Sequence, residues 1–182
     1  MLIGIVVLII LYWVGPRVER QELNKELPFV KTGIEGIEGY IEGREAGLPI
    51  KEGNESRIVW ADTAGMPTEY VLLYLHGFSA SSYEGSGVTY DFVKEFGVNA
   101  YLPRLATHGL EDDEPLLEMT PARLYHSAKE ALVVAHKLGE KVLVMGTSTG
   151  CTLALMLAAD FPELVYPTKA TTGKPDRWRF CR

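Results

Sequence analysis

The segment that most narrows what this chain can fold into is Val142-Leu143-Val144-Met145 running straight into Gly146-Thr147-Ser148-Thr149-Gly150. Four consecutive apolar residues with no polar alternation fit a strand covered on both faces. The residues after it, Thr149 to Phe161, carry a helical pattern that Pro162 ends. No residues are left over for a loop, so strand must pass to helix through one tight turn with Ser148 at its apex. Side chains two before and two after that apex would strike the adjacent strand and helix, and both positions are glycine. The serine itself is forced toward a strained backbone region. The helix beginning at Thr149 aims its unpaired amides and its positive dipole end at the hydroxyl. The strand–turn–helix context is what the G-x-S-x-G pattern needs to present a nucleophile. The competing reading is a small-residue turn that only packs closely.

Upstream, the same alternation of strand and helix recurs. Arg57 to Ala61 reads as a short strand, and Tyr70 to Leu75 is a continuous apolar run ending in His76-Gly77-Phe78-Ser79-Ala80. Thr89 to Phe96 reads as a helix and Val98 to Leu102 as another strand. Thr120 caps a long amphipathic helix from Pro121 to Leu138, with Leu124, Ala128, Ala131, Leu132 and Ala135 on one side and Gly139 at its end. This order predicts an α/β fold whose sheet is mostly parallel, with right-handed crossovers and flanking helices.

The 182 residues suit one domain, and 47% apolar content excludes a disordered chain. The net charge of −6 argues against a nucleic-acid partner. Cys151 and Cys181 share no metal-ligand spacing and form no disulfide framework. The charge is uneven: Tyr166 to Arg182 holds five basic residues against Asp176, a tail of +4 behind a body of −10. Met1 to Val14 is unbroken apolar sequence apart from Gly4, followed by Gly15-Pro16 and then Arg17 and Arg20. It reads as an uncleaved membrane anchor, ahead of a cleaved signal peptide or a buried N-terminal helix, although it is short of the roughly 20 residues of a full span. Residues 16–32 read as a tether. Ile34, Ile37 and Ile41 form the apolar stripe of a marginal amphipathic helix interrupted by glycines.

On the elbow at Ser148 and on His76-Gly77-Phe78 after the earlier buried strand, the chain resembles the α/β-hydrolase fold, and more closely its esterase and monoacylglycerol-lipase-like members. The resemblance covers roughly residues 55–165. It implies that Ser148 is the nucleophile of a serine hydrolase acting on carboxylic esters through an acyl-enzyme. It also implies that the backbone amides of Phe78 and Thr149 form the oxyanion hole, with Gly146 and Gly150 as the elbow glycines. Pro103-Arg104-Leu105-Ala106-Thr107-His108-Gly109 partly matches a Gly-His-Gly loop of such relatives. Small-molecule ester or lipid-like substrates are implied, and no metal or organic cofactor. No G-x-x-x-x-G-K phosphate loop is present. His76 and His108 read as structural, the acidic run Glu111 to Glu114 as a solvated loop, and Cys151 as a small packing residue.

The domain reading is then an anchor or signal-like helix over 1–15, tether and amphipathic helix over 16–54, the N-terminal part of an α/β-hydrolase domain over 55–165, and an atypical basic tail over 166–182. In this fold the triad runs Ser, then Asp or Glu, then His along the chain. All four histidines here (His76, His108, His126, His136) precede Ser148, and the acids after it are Asp160, Glu163 and Asp176. The resemblance therefore implies a C-terminally truncated hydrolase, impaired for want of acid and base, with the frame breaking near Val165 or Tyr166. A non-catalytic, membrane-tethered binding module and a natural short protein with a basic tail are the alternatives. The strand at Val142 to Met145 is then expected to form an apolar, aggregation-prone edge.

Overall fold

Tyr70 to Leu75 sits where its unbroken apolar composition requires, in the interior of a sheet covered on both faces. The computed structural model describes residues 2–15 and 22–166. Its strands are β1 (Arg57–Val59), β2 (Thr68–Leu75), β3 (Asn99–Leu102) and β4 (Gly139–Gly146), in the spatial order β1-β3-β2-β4. Its helices are α1 (Leu2–Val14), α2 (Ile37–Glu45), α3 (Ser86–Phe96), α4 (Pro121–Leu138) and α5 (Thr149–Asp160). Side chains alternate across β2 as a pleated strand demands. Val71, Leu73 and Leu75 join Val142 and the buried faces of α2, α4 and α5. Leu72 and Tyr74 join Val93, Ala100 and Leu102 on the α3 side.

The sheet is mixed, which corrects the expectation of a mostly parallel one. β2 pairs parallel with β3 and with β4, but β1 runs antiparallel to β3, Ile58 opposite Tyr101. The reason is the link. Residues 60–67 turn at Gly65, whose φ is +79°. A stretch that short cannot make the crossover of a dozen or more residues that parallel pairing needs, so the chain reverses.

The long helix forms as its sequence dictates. Thr120 accepts the Arg123 amide at its cap and Pro121 fills the first turn, where its missing N–H costs nothing. Gly139 ends it, and also opens β4 with no intervening loop, in extended conformation. Glycine is required there for close approach, since a Cβ would lie 2.8 Å from the Thr68 carbonyl oxygen and 2.9 Å from Val71 Cβ. The amphipathic stretch around Ile34 starts as a 3-10 turn (Ile34–Gly36) and becomes α2, burying Ile37 and Ile41.

Two readings of the N-terminal region change. α1 has 13 residues, about 20 Å at 1.5 Å per residue, against about 30 Å of hydrocarbon. Among the described residues no helix is long and apolar enough to cross a membrane. A transmembrane helix is therefore not supported. The buried alternative is not seen either, as Leu11, Tyr12, Trp13 and Val14 are exposed. The tether, in contrast, is tied down where it is described. Lys129, buried on α4, donates through Nζ to the carbonyls of Asn24 (2.6 Å) and Glu26 (2.5 Å). Lys25 pairs with Asp160 at 2.7 Å, Tyr125 donates to the other Asp160 oxygen, and Val30 enters the core. Residues 22–30 thus form a strap across α4 and α5.

On the outer side of β4, Val165 makes a single parallel bridge with Val142, and the Tyr166 amide donates to the Val142 carbonyl at 2.8 Å. The expected tail beyond Tyr166 lies outside the described residues.

Replacing Lys129 with Met should release the strap. Two carbonyls lose their donor, and about 1–3 kcal/mol of stability goes with them. Urea unfolding should show the loss, and limited proteolysis should cut faster within residues 22–32. An unchanged midpoint and cleavage pattern would mean the strap does not depend on Lys129.

Candidate active site

The turn at Ser148 has the geometry that its flanking glycines foretell. Ser148 sits at φ 50°, ψ −111°, a positive-φ conformation that L-residues other than Asn, Asp or Gly seldom adopt. A Cβ on Gly150 would stand 1.9 Å from the Leu75 carbonyl oxygen and 2.6 Å from its carbon. A Cβ on Gly146 would stand 2.6 Å from the Gly150 carbonyl carbon. All of these neighbours are backbone and cannot yield. The elbow closes through Thr147 N–H to Leu75 O (3.1 Å) and Gly150 N–H to Thr147 O (2.8 Å). Ser148 is exposed and stands at the N-cap of α5, but its side chain makes no capping bond. Its hydroxyl is therefore not committed to the helix. The Thr149 amide opens the helix, where amides have no intrahelical acceptor.

Register brings the second element alongside. Leu75 lies opposite Gly146 in the parallel β2–β4 pair, so the residues after β2 emerge beside the elbow. Gly77 is close enough that a Cβ there would be 3.5 Å from the Thr147 carbonyl oxygen. His76, fully buried, fixes the loop that leaves β2. Its Nε2 accepts the Leu105 amide at 3.0 Å, so the proton resides on Nδ1, which donates to the Gly77 carbonyl at 2.9 Å. In a trans peptide the next N–H points opposite to that carbonyl, and no peptide here is cis. The Phe78 amide therefore faces away from the imidazole, and no hydrogen bond from it to another backbone group is found among the described residues.

The histidines divide by burial. Burial pushes the His76 imidazole down to about 4, and its hydrogen bond to Gly77 opposes this only in part. Burial also lowers His108, whose Nδ1 lies 2.8 Å from the Ala106 carbonyl, and whose ring meets those of His76 and Phe78 edge-on at 5.0 and 6.1 Å. Its Nε2 is buried without a partner. His136 Nε2 donates to the Leu164 carbonyl at 2.7 Å. His126 is exposed. No hydrogen bond joins any of them to Ser148 among the described residues. The acids after the elbow are placed elsewhere as well: Asp160 holds Lys25 and Tyr125, Glu163 is exposed, and Asp176 lies outside the described residues.

One expectation is corrected and two residues were not foreseen. Cys151 is not a packing residue. It is exposed, three positions after Ser148 on the first turn of α5, with Sγ 2.7 Å from the Gly146 carbonyl oxygen. Glu84, in the 3-10 turn Ser82–Gly85, accepts the Gly77 amide at 2.8 Å. Tyr74 donates to the same oxygen at 3.3 Å and meets the Thr147 hydroxyl at 2.7 Å. Burial raises the Tyr74 phenol above its ordinary value, which keeps it a neutral donor. No motif marks a glutamate seven residues after a loop glycine. The acidic run Glu111 to Glu114 is exposed, as a solvated loop would be.

Gly150→Ala should cost about 3 kcal/mol or more, because its methyl would overlap backbone; a soluble, normally melting variant would contradict the tight elbow. His76 binds a proton less readily folded than unfolded, so the unfolded chain takes up more protons as pH falls. Its contribution is complete above about 6.5 and is lost as pH drops toward about 4, amounting to about 3 kcal/mol. His108 acts in the same direction. Urea midpoints should therefore fall between pH 7 and pH 4.5, and less so in His76→Gln.

Comparison with known proteins bears on the fold. No family model matches the chain, and no curated protein matches it. Among solved structures, it is similar to one described under LipS and LipT, two metagenome-derived lipolytic enzymes, with 20% identity and a TM-score of 0.56. The match covers 64% of this chain and 44% of that one, so this chain spans less than half of that protein. This similarity, carried by the mixed sheet and its flanking helices, establishes a fold shared with part of a lipolytic enzyme.

Proposed function

We propose that this chain carries the nucleophile and oxyanion-binding elements of a serine hydrolase of the α/β-hydrolase kind, acting on carboxylic esters. The observation that carries the reading is Ser148 itself: exposed, uncapped, held at positive φ, and flanked by two glycines that no other residue could replace. In this reading Ser148 Oγ adds to the ester carbonyl. The Phe78 and Thr149 amides receive the negative charge that develops on the carbonyl oxygen. The alcohol leaves with the serine proton, and water then cleaves the acyl-serine. Two such donors make physical sense, since loss of one typically costs about 3 kcal/mol of transition-state stabilisation. The similarity to a lipolytic enzyme supports an ester or lipid-like substrate.

A neutral serine hydroxyl is a poor nucleophile without a base. His76, His108 and His136 each hold a backbone carbonyl, and none is bonded to Ser148. That observation favours a second reading, in which the chain on its own is a binding module or turns over poorly. For location, we infer membrane association through α1, which is apolar apart from Gly4 and exposes Leu11, Tyr12 and Trp13.

A fluorophosphonate probe separates the two readings. Covalent labelling that disappears in Ser148→Ala supports a reactive nucleophile. No labelling of the wild-type chain supports the binding module.

A further inference from the structure

We propose that Glu84 is the positioning residue that sets where the Phe78 amide stands relative to Ser148, by pinning Gly77 and tying it through Tyr74 to the elbow. The proposal deepens the hydrolase reading and rests on it for its catalytic meaning.

Gly77 is the residue with the greatest backbone freedom in the loop that carries the Phe78 amide. Its conformation is set by the two peptide planes on either side of it. His76 holds the following plane through the Gly77 carbonyl, at 2.9 Å. Glu84 Oε2 holds the preceding plane through the Gly77 N–H, at 2.8 Å. The Gly77 carbonyl is held twice, since it also accepts the Ala80 amide at 3.3 Å, whereas the Gly77 N–H has Glu84 as its acceptor; with that tie removed the preceding plane is freed and the Phe78 N–H shifts with it.

The same carboxylate oxygen continues to the other half of the site. Tyr74 donates to it at 3.3 Å, and the Tyr74 hydroxyl oxygen lies 2.7 Å from Thr147 Oγ1, one residue before the nucleophile. Both tips are thereby coupled through one buried phenol. The ring is held against the turn that presents Glu84, because Gly85 leaves room for it: a Cβ there would stand 2.2 Å from a Tyr74 ring carbon. Glu84 itself has an exposed side, so the carboxylate need not be desolvated to act.

The charge separates this role from direct chemistry. A carboxylate next to an oxyanion would oppose the charge developing there, so the negative charge brings no advantage. What matters is an acceptor at that place. Glutamine retains the acceptor oxygen and drops the charge; alanine loses both.

The test uses the full chain and the variants Glu84→Gln, Glu84→Ala and Tyr74→Phe, with circular dichroism to confirm that each is folded. Hydrogen exchange of the Gly77 amide reads the pin directly, and the rate of fluorophosphonate labelling at Ser148 reads its consequence. In Glu84→Ala, Gly77 exchange should rise about tenfold, the effect of one lost hydrogen bond. Labelling should slow by about 100-fold, the scale of an ångström-sized misplacement. In Glu84→Gln, both should stay within about threefold of wild type, or labelling should quicken, because the acceptor is kept. Tyr74→Phe should leave Gly77 exchange near wild type and slow labelling. If Gly77 exchange is unchanged in Glu84→Ala, or if glutamine behaves as alanine does, the positioning role is overturned. If labelling is unchanged while exchange rises, it is overturned too. A wild-type chain that is never labelled, with the exchange pattern as stated, sinks the hydrolase reading and upholds Glu84 as the residue that positions the loop.

Discussion

The close approach of the Gly150 backbone to the Leu75 carbonyl holds the elbow against the sheet. It lets α5 start within van der Waals reach of the end of β2, so that the chain can leave β4 and turn at Ser148 in a single residue. A methyl group at that point would force the helix away from the sheet. The Thr147 and Gly150 hydrogen bonds would then open, and Ser148 would relax out of its positive-φ conformation. The parallel β2–β4 register, the exposure of the serine and the closeness of the His76–Phe78 loop all depend on that one approach.

Around this contact His76 and His108 fasten backbone. Burial strips His76 of its proton near neutral pH, and its neutral tautomer then matches one donor and one acceptor: Leu105 N–H on one nitrogen, Gly77 C=O on the other. A protonated ring could not accept from Leu105. The loop after β3 and the loop after β2 are therefore joined by a group that works only uncharged. His108 makes only one such bond, from Nδ1 to the Ala106 carbonyl, and its ring lies edge-on to those of His76 and Phe78. The placement of the loops beside Ser148 thus depends on imidazoles bonded to backbone.

The periphery obeys simpler rules. β1 is antiparallel because its link to β2 is too short for a crossover. The strap over α4 and α5 is fastened by an ammonium group, Lys129, whose two carbonyl partners lie more than a hundred positions away in sequence. Asp160, which by its position after the serine could be taken for a triad acid, is committed to Lys25 and Tyr125. Asn99 plays a comparable part under the sheet, bonding to Met66, Leu138 and Ala61.

Periodicity and glycine placement make the local structure legible in the chain: the β2 and β4 runs, the capped α4 helix, and the elbow with Ser148 at its apex. Each rests on neighbours within a turn or two, and apolar spacing or a missing Cβ records them directly. Tertiary structure alone decided the direction of β1, the exposure of Cys151, the seating of the strap, and the tie from Glu84 through Tyr74 to Thr147. These depend on which residues meet across the sheet and the loops, and a polar side chain's partner leaves no periodic trace in the chain. Glu84 looks like any charged residue in a turn until the fold sets it against Gly77.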